Sequence, residues 1–376
     1  MPTVNIPPSQ AQPSINPCPT ASPSTIPSTA VTQTVGFPTS GIPTLTQQIT
    51  PTTTVTAPVV TGSRPNSLVQ ASNSKTNCIY VGSYPWEPKF TAAEQATGIT
   101  YNCIETFTNA DPAWSDWDTP WILGSQYGYT AWIQAAPTIR TMIMTQDLIP
   151  DSVSNINNPL PWETACDQGQ YNSYAKTYAQ NLINGGFGYS VIRLGDEMNG
   201  NWEKDFMGTT TAEQQAWGKC FAQEVTAMRS VPGAHFLFDW NPNACVENFP
   251  LANWYPGDSY VDIIGVDLYD AFCNGSKPTQ SVATFQQLAA EPDSLNAVQL
   301  FASQHGKPMS IPEWGTQFSS SGGLGDDPYY VKGIGSFVAN NTMAFQSYFD
   351  PDNDGIIPLS SAYPQTLQAY IQEFKH

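Results

Sequence analysis

Residues 190–202 read SVIRLGDEMNGNW. The run opens on Val191-Ile192, two β-branched residues inside a short apolar stretch, which is how a buried strand of a parallel sheet reads. It stops at Gly195-Asp196-Glu197. Two carboxylates at the end of a buried strand are costly unless they are paired, hydrogen-bonded or at the mouth of a site. A second stretch has the same shape: PMSIPEWG, residues 308–315, again ends in a glutamate, Glu313, followed by Trp314 and Gly315. Glu197 and Glu313 are therefore candidate partners across one site.

Outward from these two stretches, short apolar runs alternate with helical ones. Strands are expected near Ile79–Ser83, Thr100–Thr106, Thr141–Thr145, Val191–Leu194, His235–Trp240, Ile263–Leu268, Met309–Ile311 and Ala344–Ser347. Helices are expected over Tyr171–Asn184, from a Thr211/Gln214 capping box to an end near Pro232-Gly233, and over Phe285–Gln304. Strands alternating with helices imply a parallel sheet. Eight such units in about 300 residues fit an α/β chain folded as a (β/α)8 TIM barrel better than an open doubly wound sheet. No G-x-G-x-x-G follows any strand, which counts against nucleotide binding.

Residues 1–76 are compositionally separate. They hold 13 of the 33 prolines, dense threonine and serine, and no acid, the first being Glu87. Such a segment buries too little apolar surface to offset its ordering entropy. It is expected to be a disordered linker or stalk ahead of a catalytic domain at 77–376.

The chain carries 31 acids against 13 lysines and arginines, a formal charge of −18. That argues against nucleic acid or an anionic membrane as partner. No apolar run reaches the roughly 18 residues of a membrane span. Neither a basic n-region nor an apolar h-region opens the sequence, so no secretory signal is visible. Of seven cysteines, Cys18 lies in the tail, and the other six allow 15 disulfide connectivities. At least one disulfide is expected, and with the linker-like tail this favours an extracellular setting.

In a barrel the working residues sit where strands end. Glu197 would end the fourth strand and Glu313 the seventh, so closure brings both to one mouth. Such a pair can do glycosidic chemistry: one carboxyl protonates the leaving oxygen while the other attacks or activates water. Only His235, His305 and His376 are present, without metal-ligand spacing, and His235 begins its strand. Neither zinc nor a serine triad is favoured, and no metal or cofactor is expected. Trp114, Trp117 and Trp121 follow the second strand, while Trp202, Trp240, Tyr269 and Trp314 fall just beyond strands four to seven. Aromatic faces make platforms for pyranose rings, although any one of these could be core.

Three blocks, RLGDEMNGNW, WYPGDSYVDIIGVDLYD and KPMSIPEWG, resemble the signature blocks of glycoside hydrolase family 26, over roughly residues 78–376. That family consists mostly of retaining endo-β-mannanases with a clan A barrel. The resemblance implies Glu197 as acid/base and Glu313 as nucleophile. It also implies that Tyr269 hydrogen-bonds the nucleophile, that Arg193 supports the site, and that Trp202 is an aromatic near the cleavage point. With Asp196, Trp240 and Trp314, these make up the expected substrate-binding set. Two features depart from the pattern. Asp196 stands where the family usually has His, and Glu203-Lys204-Asp205 stand where it tends to have aromatics.

The expectation is a monomeric endo-acting hydrolase of a β-linked polysaccharide, β-1,4-mannan first. A β-glucanase or β-xylanase of the same clan, or a barrel that binds carbohydrate without turnover, are the alternatives. Asp350-Pro351-Asp352-Asn353-Asp354-Gly355 imitates the start of a calcium loop, but its twelfth position is Ser361, so it reads as a surface turn, with a lone calcium site as the alternative.

Overall fold

The computed structural model describes residues 76–375, apart from 83, 109–110, 245–249, 273–274, 351–357 and 360–362. The proline-rich segment, Cys18, Cys245, Cys273 and most of the Asp350–Gly355 stretch lie outside the described residues.

Among the described residues, nine strands form one all-parallel sheet: β1 Asn77–Tyr80, β2 Cys103–Phe107, β3 Thr141–Gln146, β4 Val191–Leu194, β5 Leu237–Trp240, β6 Ile263–Gly265, β7 Leu268–Tyr269, β8 Met309–Gly315 and β9 Met343–Phe349. β1 pairs with both β2 and β9, and β6 and β7 both pair with β8, so the sheet closes. β6 and β7 are two pieces of one staves' position, which makes an eight-position (β/α)8 barrel, as the alternation of elements implies. β8 is thus the seventh position. Each expected strand is present within a few residues.

The interruption of β6–β7 matters for the site. Pro312 has no N–H to give the ladder. The β8–β9 register slips between Ile311 and Trp314, where three steps on β8 match two on β9. A bulge of this kind re-aims a side chain. Here it sits at Glu313, whose backbone N–H is taken by Asp267 Oδ1 at 2.9 Å. Asp267 lies in the gap between β6 and β7.

Two disulfides are present among the described residues. Cys78–Cys103 ties β1 to β2, and Cys166–Cys220 ties helix Leu160–Asp167 to helix Thr211–Arg229. Their loops span 25 and 54 residues. Restricting the unfolded chain over loops of this size contributes roughly 3–4 kcal/mol each.

Two helix expectations shift. The capping box uses Thr210 and Glu213, one residue earlier than expected, because the Thr210 hydroxyl accepts from the Glu213 N–H while the Glu213 carboxylate accepts from the Thr210 N–H. That helix ends at Arg229, just before Pro232-Gly233. The stretch expected as one helix over Phe285–Gln304 is two, Val282–Ala289 and Leu295–Gln304. Pro292 breaks it, since it cannot donate to the helix, and Asp293 follows with φ 54. No described helix is long and apolar enough to cross a membrane.

Candidate active site

β4 ends at Leu194, and the chain turns at once. Gly195 has φ 59, and a Cβ there would fall 2.7 Å from the Trp217 ring and 3.0 Å from Asp205 Oδ2. Only glycine fits that close, left-handed position. Glu197 also has positive φ, 45. Its N–H bonds the Asn241 carbonyl at 3.1 Å, and its carbonyl receives the Gly200 N–H at 2.7 Å. A non-glycine residue held in this region is uncommon and clusters at functional sites. The turn has a second effect. On a continuing strand Asp196 and Glu197 would point to opposite faces. Past the strand end both are buried and electrostatically coupled to each other.

Glu197 is 9% exposed and Glu313 6%. Carboxylate oxygens of Glu197, Asp267 and Glu313 all lie within 4.8 Å of one another. The two glutamates differ in their partners. Glu197 accepts from Trp202 Nε1 at 2.8 Å and from Asn243 Nδ2 at 2.5 Å, both neutral donors. Burial, then the nearby Glu313 charge, pushes its carboxyl up to about 7. Glu313 accepts from Arg193 Nη1 at 2.5 Å and from the Tyr269 hydroxyl at 2.7 Å. Burial and the same two glutamates hold the Tyr269 phenol well above its ordinary value, so it stays a donor.

Arg193, on β4, organises the floor. Its Nε donates to Asn241 at 2.8 Å, and Nη1 also reaches Glu105 and Thr145, each at 3.2 Å. Nη2 donates to Asp267 and lies 3.7 Å from Asp196. Burial pushes Glu105 up to about 8 against the pull of Arg193. The Glu197–Asp267–Glu313 group could hold a metal by spacing alone, but this guanidinium already supplies positive charge to Asp267 and Glu313.

The expected site residues separate into two sets. Glu197, Glu313, Arg193, Asp196, Trp202 and Tyr269 come together at one end of the barrel. Arg193 is fully buried beneath the glutamates, so it positions Glu313 rather than facing a substrate. Trp240 and Trp314 do not join them, which corrects the expectation of substrate contact. Both are fully buried. Trp240 packs on Trp254, Tyr255 and Phe301, and Trp314 on Tyr330, Tyr348, Tyr370 and Phe374. The reason is strand alternation: Asp239 and Glu313 point into the barrel, so their successors point out to the helices. Trp117 is likewise core, bonding the Asp147 carbonyl.

Four contributors were not singled out by sequence. Asn243 holds Glu197, Asp267 holds Arg193 and the Glu313 backbone, and Asn241 holds Arg193. Asn199 and Asn243 exchange side-chain and backbone hydrogen bonds at 2.8 and 2.9 Å, tying the segment after β4 to that after β5. The run Asn241-Pro242-Asn243 directly after a strand is the one local signal that marks two of them.

The family model of glycosyl hydrolase family 26 matches residues 173–313, a span that includes both glutamates. The resemblance drawn from the three blocks therefore stands over that span. No curated protein sequence matches the chain. Among solved structures, a mannanase of Bacillus subtilis aligns with TM-score 0.54 at 15% identity, over 77% of this chain and 83% of that one. A modular endo-β-1,4-mannanase of Cellulomonas fimi aligns with TM-score 0.55 at 16% identity, over 80% and 74%. A β-mannanase from a symbiotic protist of the termite Reticulitermes speratus, complexed with a gluco-manno-oligosaccharide, aligns with TM-score 0.52 at 15% identity, over 82% and 89%. At these identities the likeness is one of fold.

Proposed function

We propose that this chain, a glycoside hydrolase resembling family 26 over residues 173–313, is a retaining endo-acting enzyme that cleaves β-1,4-mannan outside the cell. The carrying observation is the placement of Glu197 and Glu313, with carboxylate oxygens within 4.8 Å and opposite kinds of partner. A retaining enzyme keeps its carboxyls about 5–5.5 Å apart, so that one touches the anomeric carbon, whereas an inverting one needs roughly 6.5–9.5 Å to fit a water. The spacing here supports the first arrangement.

In the first step the Glu197 proton passes to the glycosidic oxygen as the bond to the anomeric carbon breaks. Glu313 attacks that carbon from the opposite side and forms a glycosyl ester. In the second step Glu197, now a carboxylate, takes a proton from water as the water displaces Glu313. The raised carboxyl of Glu197 suits a group that must carry a proton near neutrality. The charged and hydroxyl donors on Glu313 suit a nucleophile that must carry none. Trp202, partly exposed and bonded to Glu197, offers its ring to a sugar beside the cleaved bond. Mannan is favoured by the family match and by the mannanase activity named for all three structural relatives. The disulfides suit an extracellular enzyme.

Asp196 favours a second reading, a β-glucanase or β-xylanase. It stands beside Glu197 where the resemblance leads one to expect His, and that neighbour touches the sugar next to the scissile bond in the family. Release of reducing ends on a panel of glucomannan, galactomannan, β-glucan and xylan tests both. Oligosaccharides from the mannans are expected. Products from β-glucan or xylan alone would favour the second reading, and binding without products would leave a carbohydrate-binding barrel.

A further inference from the structure

We propose that Asp147, Glu203 and Asp205 form a site for one hard divalent cation, calcium by preference, that clamps the segment after β4 to the end of β3. Asp147 directly follows β3, while Glu203 and Asp205 lie beyond Trp202. Carboxylate oxygens of the three lie within 4.8 Å of one another. Calcium sits about 2.3–2.6 Å from each oxygen ligand, so one ion spans such a group.

Convergence of acids is not the only observation. Asp147 and Asp205 are fully buried and Glu203 is 6% exposed. Asp147 Oδ1, Asp147 Oδ2 and Asp205 Oδ1 are buried without a hydrogen-bond partner. The other Asp205 oxygen is fixed by the Leu148 N–H at 2.8 Å. Lys204 is the nearby cation, and it is divided: its Nζ lies 2.6 Å from Asp111, 2.7 Å from Asp151 and 3.2 Å from Asp147 Oδ2. That contact is on one oxygen of Asp147, and no ion pair reaches Glu203 or Asp205 among the described residues. Arg193 is committed to the catalytic set. Buried carboxylates without a counter-charge are expensive. An all-carboxylate ligand set, without His or thiolate, suits a hard ion.

The cation would have a defined effect. Trp202 donates to Glu197 and directly precedes Glu203, so fixing Glu203 and Asp205 fixes the turn that carries the acid/base partner.

The test is thermal unfolding of the full chain after chelation and desalting, in calcium chloride and in magnesium chloride at matched ionic strength, with metal content measured on the gel-filtered protein. Saturating calcium is expected to raise Tm by roughly 5 °C, the shift that binding at about 100 times Kd gives a domain of this size, with one calcium retained per chain. Glu203→Gln keeps the shape, and it is expected to weaken calcium binding at least about tenfold and so to lose at least about half of the shift. Asp205→Asn serves the same purpose if Glu203→Gln does not accumulate. A wild type with neither calcium-dependent shift nor retained metal overturns the proposal. So does a variant that keeps the full shift, since the ion is then elsewhere. An equal shift in magnesium keeps the site and overturns the preference for calcium.

Discussion

Arg193 Nη1 lies 2.5 Å from Glu313 Oε1, and the guanidinium that makes this contact is fully buried. The same side chain bonds Asp267 and Glu105 and lies 3.7 Å from Asp196, so one cation serves four buried carboxylates. Breaking a buried pair by removing one partner costs about 3–5 kcal/mol, because it leaves uncompensated charge. Arg193→Met is therefore expected to fold poorly or not at all. Arg193→Lys keeps the charge but loses the planar fork. It is expected to fold, with kcat on mannan down by about 100-fold or more, KM changing less. Circular dichroism with steady-state kinetics checks this. Near-wild-type turnover in Arg193→Lys would show that Glu313 does not depend on the fork.

The Asn243 amide, 2.5 Å from Glu197, stabilises the carboxylate form and so opposes the burial that pushes this group up to about 7. If Glu197 is the acid, wild-type kcat/KM falls as pH rises through about 7, when the proton is lost. Asn243→Ala removes a bond to the charged form. The basic limb is then expected to move up, by on the order of one pH unit. A downward move would contradict the role assigned to the amide.

Glu163, on helix Leu160–Asp167, is fully buried, and neither carboxylate oxygen has a hydrogen-bond partner. Burial, with a smaller push from Glu213, raises its carboxyl to about 9. Between the unfolded value near 4.3 and the folded one, the native state holds a proton that the unfolded chain has released. Stability contributed here is full below the unfolded value and is lost as pH rises, by at most about 1.4 kcal/mol per unit. Glu163→Gln removes this titration. Denaturant unfolding should show the variant close to wild type at pH 4 and increasingly more stable than it towards pH 9. Parallel curves would place the titration elsewhere.

The two glutamates are separable by leaving group. Glu197→Ala should retain turnover on aryl mannosides whose leaving group needs no proton, because Glu313 is intact. Glu313→Ala should lose turnover on every substrate. Equal losses for both variants on the activated substrate would contradict the division of roles.

The barrel was legible because each strand is a short β-branched run and each connection carries a helix. Glu197 and Glu313 were legible because each ends such a run. Asp267 and Asn243 were not, since what makes them matter is a partner 44–74 residues away in sequence: Arg193 lies 74 from Asp267, and Asn199 lies 44 from Asn243. Trp240 and Trp314 lie close to the site in sequence, yet each follows an inward residue and so faces the helices. Asp196 is the reverse case. Strand alternation would have pointed it away from Glu197, but the left-handed turn at Gly195 ends the strand first. Glu203 and Asp205 stood out only as departures from a family pattern. Their burial beside Asp147 depends on the path of the chain after that turn.

Double displacement on mannan by Glu197 and Glu313 keeps the anomeric configuration of the cleaved bond. Proton NMR of wild-type enzyme acting on mannohexaose, recorded before mutarotation, tests it most directly. The β-anomer of the new reducing end is expected to appear first, with the α-anomer growing in later. An α-anomer appearing first would mean a single inverting displacement and would contradict it.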